Sequence, residues 1–98
     1  NPTPTKYKIN LKIYPGPFND FVRISFLSDN KIQKEILSYG MIGALVKSIY
    51  LRNIIKGDNY FFWDGQNDLG KTSTSGIYFI NLIQGFETLG TKKVILLK

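Results

Sequence analysis

Asp58, Asp64 and Asp68, with Asn67 between the last two, are the densest set of oxygen donors in the chain. Such a set invites two chemistries, acid–base work by paired carboxylates and coordination of calcium. Calcium takes roughly six to eight oxygens, and the loops that supply them alternate acids at every second position before a closing Glu. Asp64, Asn67 and Asp68 have neither that spacing nor the closing carboxylate. A plainer role fits the residue types, in which Asp64 and Asn67 accept hydrogen bonds from backbone amides of a turn. For catalysis, the three acids sit among turn residues, and the serines have no His to activate them. The chain contains no His and no Cys at all, which removes thiolate zinc sites, redox pairs, Cys nucleophiles and His-based triads. The expectation is a protein without catalytic residues, metal or cofactor.

Two binding chemistries remain. Tyr60-Phe61-Phe62-Trp63 could stack against sugars, but successive strand residues face opposite sides, so the run offers at most two rings per face. Phe61 and Trp63 share one face and are expected in the core, leaving Tyr60 and Phe62 outward. The net charge is +6, from 13 Lys and Arg against 7 Asp and Glu. The cations are spread out and Arg occurs only at positions 23 and 52, whereas nucleic-acid surfaces cluster Arg and Lys; no nucleic-acid partner is expected. Past Glu87 the chain carries Lys92, Lys93 and Lys98 and no acid. Lysines there either solvate and guard a strand edge or meet an anionic partner.

The elements that position these groups read as strands. With 98 residues, 43% hydrophobic and 14% aromatic, the composition is that of one globular domain, and no apolar run is long enough to span a membrane as a helix. Asn1-Pro2-Thr3-Pro4-Thr5 reads as the end of a linker, giving a linker over 1–7 and a domain over 8–98, the last strand looking like a natural terminus. Residues 8–14 alternate, with Ile9, Leu11 and Ile13 on one face. Tyr14-Pro15-Gly16-Pro17-Phe18 stops that strand, because neither proline can donate to a ladder, and Phe18 is expected to plug one end of the core. Phe21–Leu27 alternates again, with Val22, Ile24 and Phe26 inward. Over 32–39 the adjacent Ile36 and Leu37 suit a central strand buried on both faces, with a helix as the competing reading. Leu45–Leu51 follows, with Leu45, Ile49 and Leu51 on one face, and residues 52–59 read as a connection ending in a turn. The strand Tyr60–Trp63 then leads through Asp64-Gly65 and Asn67-Asp68-Leu69-Gly70, whose glycines suit a reversal, to a strand from Gly76 in which Tyr78, Ile80 and Leu82 alternate with Ile77, Phe79, Asn81 and Ile83. Residues 84–90 read as a loop, and 91–98 as a closing strand with Lys92, Val94, Leu96 and Lys98 on one face. Seven short strands with regular turn signals predict an all-β antiparallel sandwich.

The wording of several segments carries more. Trp63-Asp64-Gly65, Asp68-x-Gly70, Ser75-Gly76-Ile77-Tyr78 and the lysine tail resemble, in that order, the C-terminal immunoglobulin-like sorting domains of type IX-secreted bacterial proteins, which are related to the immunoglobulin-like domain of the flagellar hook-capping protein. Tyr14-Pro15-Gly16-Pro17-Phe18 resembles that family's Tyr-Pro-Asn-Pro-Phe element, with Gly16 where Asn is usual. Leu37-Ser38-Tyr39-Gly40-Met41-Ile42-Gly43 is similar to its Ile-x-Tyr-Asp-Met-x-Gly strand and turn, and settles 32–39 as a strand. Gly40 and Ala44 replace the usual Asp and Arg, so any salt bridge between those positions is lost, and Lys56-Gly57 stands where Ala-Gly is usual. The similarity covers residues 11–98.

What the resemblance implies is an immunoglobulin-like sandwich of about seven strands that acts as an address label. Its cargo would be an N-terminal domain of the same chain, recognised after export to the periplasm and passed across the outer membrane to the cell surface by type IX translocon and sortase components. Carried over by position, the recognition residues would be Gly76, Tyr78, Lys92, Lys93 and Lys98. The structural motif would comprise Tyr14, Pro15, Pro17, Phe18, Trp63, Asp64, Gly65 and Gly70. The alternative is a structural or adhesive immunoglobulin-like module of a multidomain surface or hook-cap-like protein.

Overall fold

A computed structural model describes residues 9–98; the linker expected over 1–7, and Lys8, lie outside it. Seven strands run in the order β1 (Lys12–Tyr14), β2 (Val22–Ser28), β3 (Lys34–Gly40), β4 (Leu45–Leu51), β5 (Gly57–Trp63), β6 (Gly76–Gln84) and β7 (Glu87–Leu96). They form two antiparallel sheets, β1-β2-β5 and β4-β3-β6-β7. No helix occurs among the described residues, so the strand reading of 32–39 holds against the helix, although the strand begins only at Lys34.

The core is the set of inward positions that alternation picks out. Val22, Ile24 and Phe26 from β2 and Trp63 from β5 face Ile36, Tyr78, Ile80, Leu82, Val94 and Leu96 from the other sheet. Phe18 plugs one end, as expected. After the prolines, whose preceding peptide bonds are both cis, its amide donates to the Ile95 carbonyl (2.9 Å) and its carbonyl accepts from the Leu97 amide (2.8 Å). This parallel bridge to Leu96 ties the two sheets together at one edge.

Regular spacing fails in several places, each for a local reason. β1 is shorter than the expected 8–14, because Asn10 adopts a φ of 52° and interrupts it. Leu11 is nevertheless buried, while Ile9 and Ile13 are half-buried against the core. β3 is buried on one face only: Lys34, Ile36 and Ser38 point inward, and Glu35, Leu37 and Tyr39 are half-buried on the outer face. In β4, Ser38 pairs with Lys47 but Tyr39 with Leu45, so Val46 is an extra residue in a bulge. A bulge exchanges the faces of the residues beyond it; Leu45 is thereby exposed, and Val46 packs on the core in its place. β5 begins at Gly57, so Asp58 and Asn59 belong to the strand and not to a turn. The buried Asn59 carboxamide bonds to the Ile55 amide and carbonyl and to the Gly57 carbonyl, fastening the incoming chain. Residues 84–90 are not a loop. Gln84 pairs with Glu87 across the two-residue turn Gly85-Phe86, and the positive φ falls on Gly85, where a type II′ turn places it. A second bulge, at Leu89, follows in β7.

Opposite the Phe18 plug, the sandwich end is polar. Lys34 is buried, and its ammonium donates to Asn30 Oδ1 (2.9 Å) and the Ile32 carbonyl (3.0 Å). Burial holds its pKa below the ordinary lysine value, with Asp29 opposing part of the shift. The folded chain therefore releases this proton at lower pH than the unfolded chain, and stability contributed by Lys34 rises as pH climbs through that interval. Relative to Lys34→Met, the parent is expected to gain stability as pH rises towards the ordinary lysine value of 10.5, as read by urea unfolding at stepped pH. At the other end, Trp63→Ala removes a wholly buried ring and should cost about 3–5 kcal/mol, checked by the same unfolding assay.

Candidate functional site

The residues singled out in the sequence converge on the end of the sandwich that Phe18 closes. Trp63 stands at the centre, 2% exposed, with its ring centroid 5.6 Å from Phe18 and 5.7 Å from Tyr78, the latter edge-on. Its indole N–H donates to the Gln66 carbonyl (2.9 Å). Reaching that carbonyl requires the sharp turn at Gly65, whose φ is 83°. A Cβ at Gly65 would lie 3.3 Å from both methyl carbons of Leu96 and 3.6 Å from the Phe18 ring. Glycine is needed there for both reasons.

The loop beyond is held by its own side chains. Asp64 Oδ1 accepts from the Gln66 amide (3.0 Å), and Asn67 Oδ1 accepts from the amides of Leu69 (2.9 Å) and Lys71 (3.0 Å). Asp64 and Asn67 thus do what the turn reading expects. Gly70, with a φ of 80°, donates to the Asn67 carbonyl and completes the turn. Asp68 points elsewhere: its amide donates to the Val46 carbonyl (3.0 Å), and its carboxylate accepts from the Ser48 amide (3.1 Å) and lies 3.9 Å from the Lys47 ammonium. Asp68 therefore pairs with the outer edge of β4 much as a neighbouring strand would. The oxygens of these three residues turn towards different partners and do not converge on one point.

The tail is fastened next to this loop. Ser75 Oγ accepts from the Lys98 amide (2.7 Å) and donates to the Lys98 carbonyl (3.1 Å), extending the β6–β7 ladder past its last pair, Gly76 with Leu96. Sequence reasoning did not find this role for Ser75. The only signal was its place in the Ser-Gly-Ile-Tyr motif, since its partner is 23 residues away.

The five proposed recognition residues divide. Tyr78 is buried, and its hydroxyl donates to the Thr74 carbonyl (2.5 Å), so a partner meeting the folded domain does not touch its ring. Gly76 opens β6, with nothing within 4 Å of where a Cβ would stand. Lys92, Lys93 and Lys98 are exposed on or just beyond β7. Lys92 has the inward parity, opposite Ile80, but β7 is an edge strand and the side chain reaches solvent. Among the described residues the only ion pair is Lys47 with Asp68, so the three tail lysines carry uncompensated charge. Of the structural motif, Phe18 and Trp63 form the plug and Tyr14 lies half-exposed on the outer face of β1, its hydroxyl bound by Arg23 (2.7 Å). Pro15 and Pro17 lead the chain to Phe18.

The arrangement is a two-sheet sandwich with a locked edge strand and, among the described residues, a basic tail without ion pairs. Comparison with known proteins gives it a class. Residues 12–97 match the family described as the secretion system C-terminal sorting domain, and the chain belongs to it. Domains of this family are signals for type IX secretion, and in general not catalysts; they send the attached protein across the outer membrane to the cell surface or the medium. Among curated proteins none matches. Among solved structures the chain is similar to PorZ, a bacterial surface component of the type IX secretion system of Porphyromonas gingivalis, at a TM-score of 0.64 and 14% identity. The match covers 91% of this chain and 12% of PorZ, and it bears on the fold.

Ser75→Ala deletes both bonds to Lys98. Its expected cost is about 1 kcal/mol of local stability, seen as roughly fivefold faster exchange of the Lys98 amide, while the Leu97 amide, held by Phe18, exchanges as before.

Proposed function

We propose that the folded domain is read through its basic edge. Lys92, Lys93 and Lys98 supply the charge that an acidic face of the translocon or sortase complements, after the cargo domain on the N-terminal side has reached the periplasm. One observation carries this reading: three lysines, without ion-pair partners among the described residues, project from or just beyond a strand that is bonded on one side to β6 and pinned at its end by Phe18 and Ser75. A closing strand needs Val94 and Leu96 for the core, but folding has little use for the cations, since an exposed ion pair contributes at most about 1 kcal/mol. Charge at a fixed place instead governs encounter and register with a partner. In this reading Gly76 and Tyr78 act through the geometry of β6, Tyr78 by filling the core beside Trp63.

The test separates folding from export. Changing Lys92, Lys93 and Lys98 together to Ser should leave the melting temperature nearly unchanged and sharply reduce delivery of a fused reporter to the surface of a type IX-competent host. Surface and periplasmic fractions are compared with those of the parent fusion. Equal surface delivery would reduce the lysines to solvation. A parent fusion that stays in the periplasm would favour a structural or adhesive module.

A further inference from the structure

Two open sheets leave four strand edges, on β1, β5, β4 and β7. Three of them are guarded in ways that keep an edge from pairing with other chains. β1 has three residues and runs directly into Pro15. β4 carries the Val46 bulge and has its Val46 carbonyl and Ser48 amide occupied by Asp68. β7 is bulged at Leu89, covered at 95–97 by Phe18 and studded with Lys92 and Lys93. β5 has none of these. It keeps an unbroken register with β2 from Gly57 to Trp63, and contains no Pro, no Lys and no bulge. Among the described residues, no backbone group of residues 58–63 bonds outside the β2–β5 pair.

Beside this edge the two sheets part. A cavity of about 320 Å³ reaches from Leu51 and Ile54 to Phe61. A second, of about 560 Å³, lies between Ile49 and Phe62 and extends towards Trp63. Ile49 from β4 and Phe61 from β5 face this cleft and are only half-buried, although both pack on the core. The first cavity is also lined by Arg52, just past β4, and the second by Asp64 and by Lys47, whose ammonium lies 3.9 Å from the Asp68 carboxylate.

We propose that the free edge of β5 is a strand-addition site for an extended acidic segment of a partner polypeptide, a contact separate from the lysine tail. Its main chain continues the β1-β2-β5 sheet. Side chains at alternate positions enter the cleft against Ile49 and Phe61; a carboxylate at one end of that row meets Arg52, and one at the other end takes the place of Asp68 beside Lys47. A second copy of this chain could satisfy the same backbone groups, but it would bring a net +6 against +6, and the acidic segment is the better electrostatic match.

The probe is an end-capped heptapeptide, Glu-Thr-Val-Thr-Val-Thr-Glu, which places two Val between two Glu on one face of a strand. Titrated into the isotope-labelled 98-residue chain to roughly millimolar concentration, it is expected to shift and protect the amides of β5 and to change the fluorescence of Trp63. The same peptide with Lys for Glu should bind about tenfold more weakly. Consecutive strand amides point to opposite sides, so of Tyr60→Pro and Phe61→Pro one removes a bond to β2 and the other blocks the free edge with the β2 ladder intact. The variant that keeps its circular dichroism and melting temperature should lose peptide binding. Amide shifts confined to β7, or absent, overturn the proposal, as does binding that survives in the folded Pro variant. Equal affinity for the Lys peptide, or a dimer whose interface maps to β5 without peptide, overturns the acidic partner.

Discussion

A single buried indole sets the geometry of the functional end. Trp63 contributes the largest wholly buried side chain, and a buried N–H left without a partner would cost about 1–3 kcal/mol. The chain must therefore bring an acceptor to it within a few residues, and the Gln66 carbonyl does so. That requirement imposes the reversal at Asp64-Gly65, and the reversal presses the Gly65 backbone onto Leu96 and Phe18. Loop, tail and plug are consequently one packing unit. A change in any of them is felt at the strand that carries the lysines.

The two ends of the sandwich are closed by different physics. One is an aromatic and aliphatic plug of Phe18, Trp63, Tyr78 and Leu96. The other is sealed by polar groups whose partners are mostly backbone: Lys34 on Asn30 and Ile32, Asn59 on Ile55 and Gly57, and Ser28 on Asn30. Buried polar groups of that kind hold position through directional bonds more than through area. The hydrophobic end tolerates little change of shape, since close-packed side chains have nowhere to move.

The alternation of β2 and β6 was legible because each inward residue, Val22 to Phe26 and Tyr78 to Leu82, repeats with the period of a strand. The extent of β7 was not. Gly85-Phe86 makes a tight hairpin, but the Leu89 bulge breaks the alternation that would have extended the strand back to Glu87. Val46 misled in the same way for β4. Asp64 and Asn67 could be read locally because their bonds span two to four residues. Ser75 and Asp68 could not, because Lys98 and Ser48 lie 23 and 20 residues away. The family was legible in short phrases around Trp63 and Tyr78, yet those phrases do not distinguish a residue that meets a partner from one that builds the core. Tyr78 is buried, whereas the tail lysines are exposed.

β1 and β7 run in the same direction, so the chain enters at the polar end, where the Leu27 amide bonds to the Ile9 carbonyl, and leaves at the plugged end beyond Leu96. Traction on a preceding domain against an anchored tail would therefore pull along the strands. Bonds of an antiparallel ladder lie across that direction, so the β6–β7 bonds, the Phe18 bridge and the Ser75 clamp would bear the load together in shear, and would not peel apart one at a time. The contacts that fix the tail are thus the same ones that would carry an axial load.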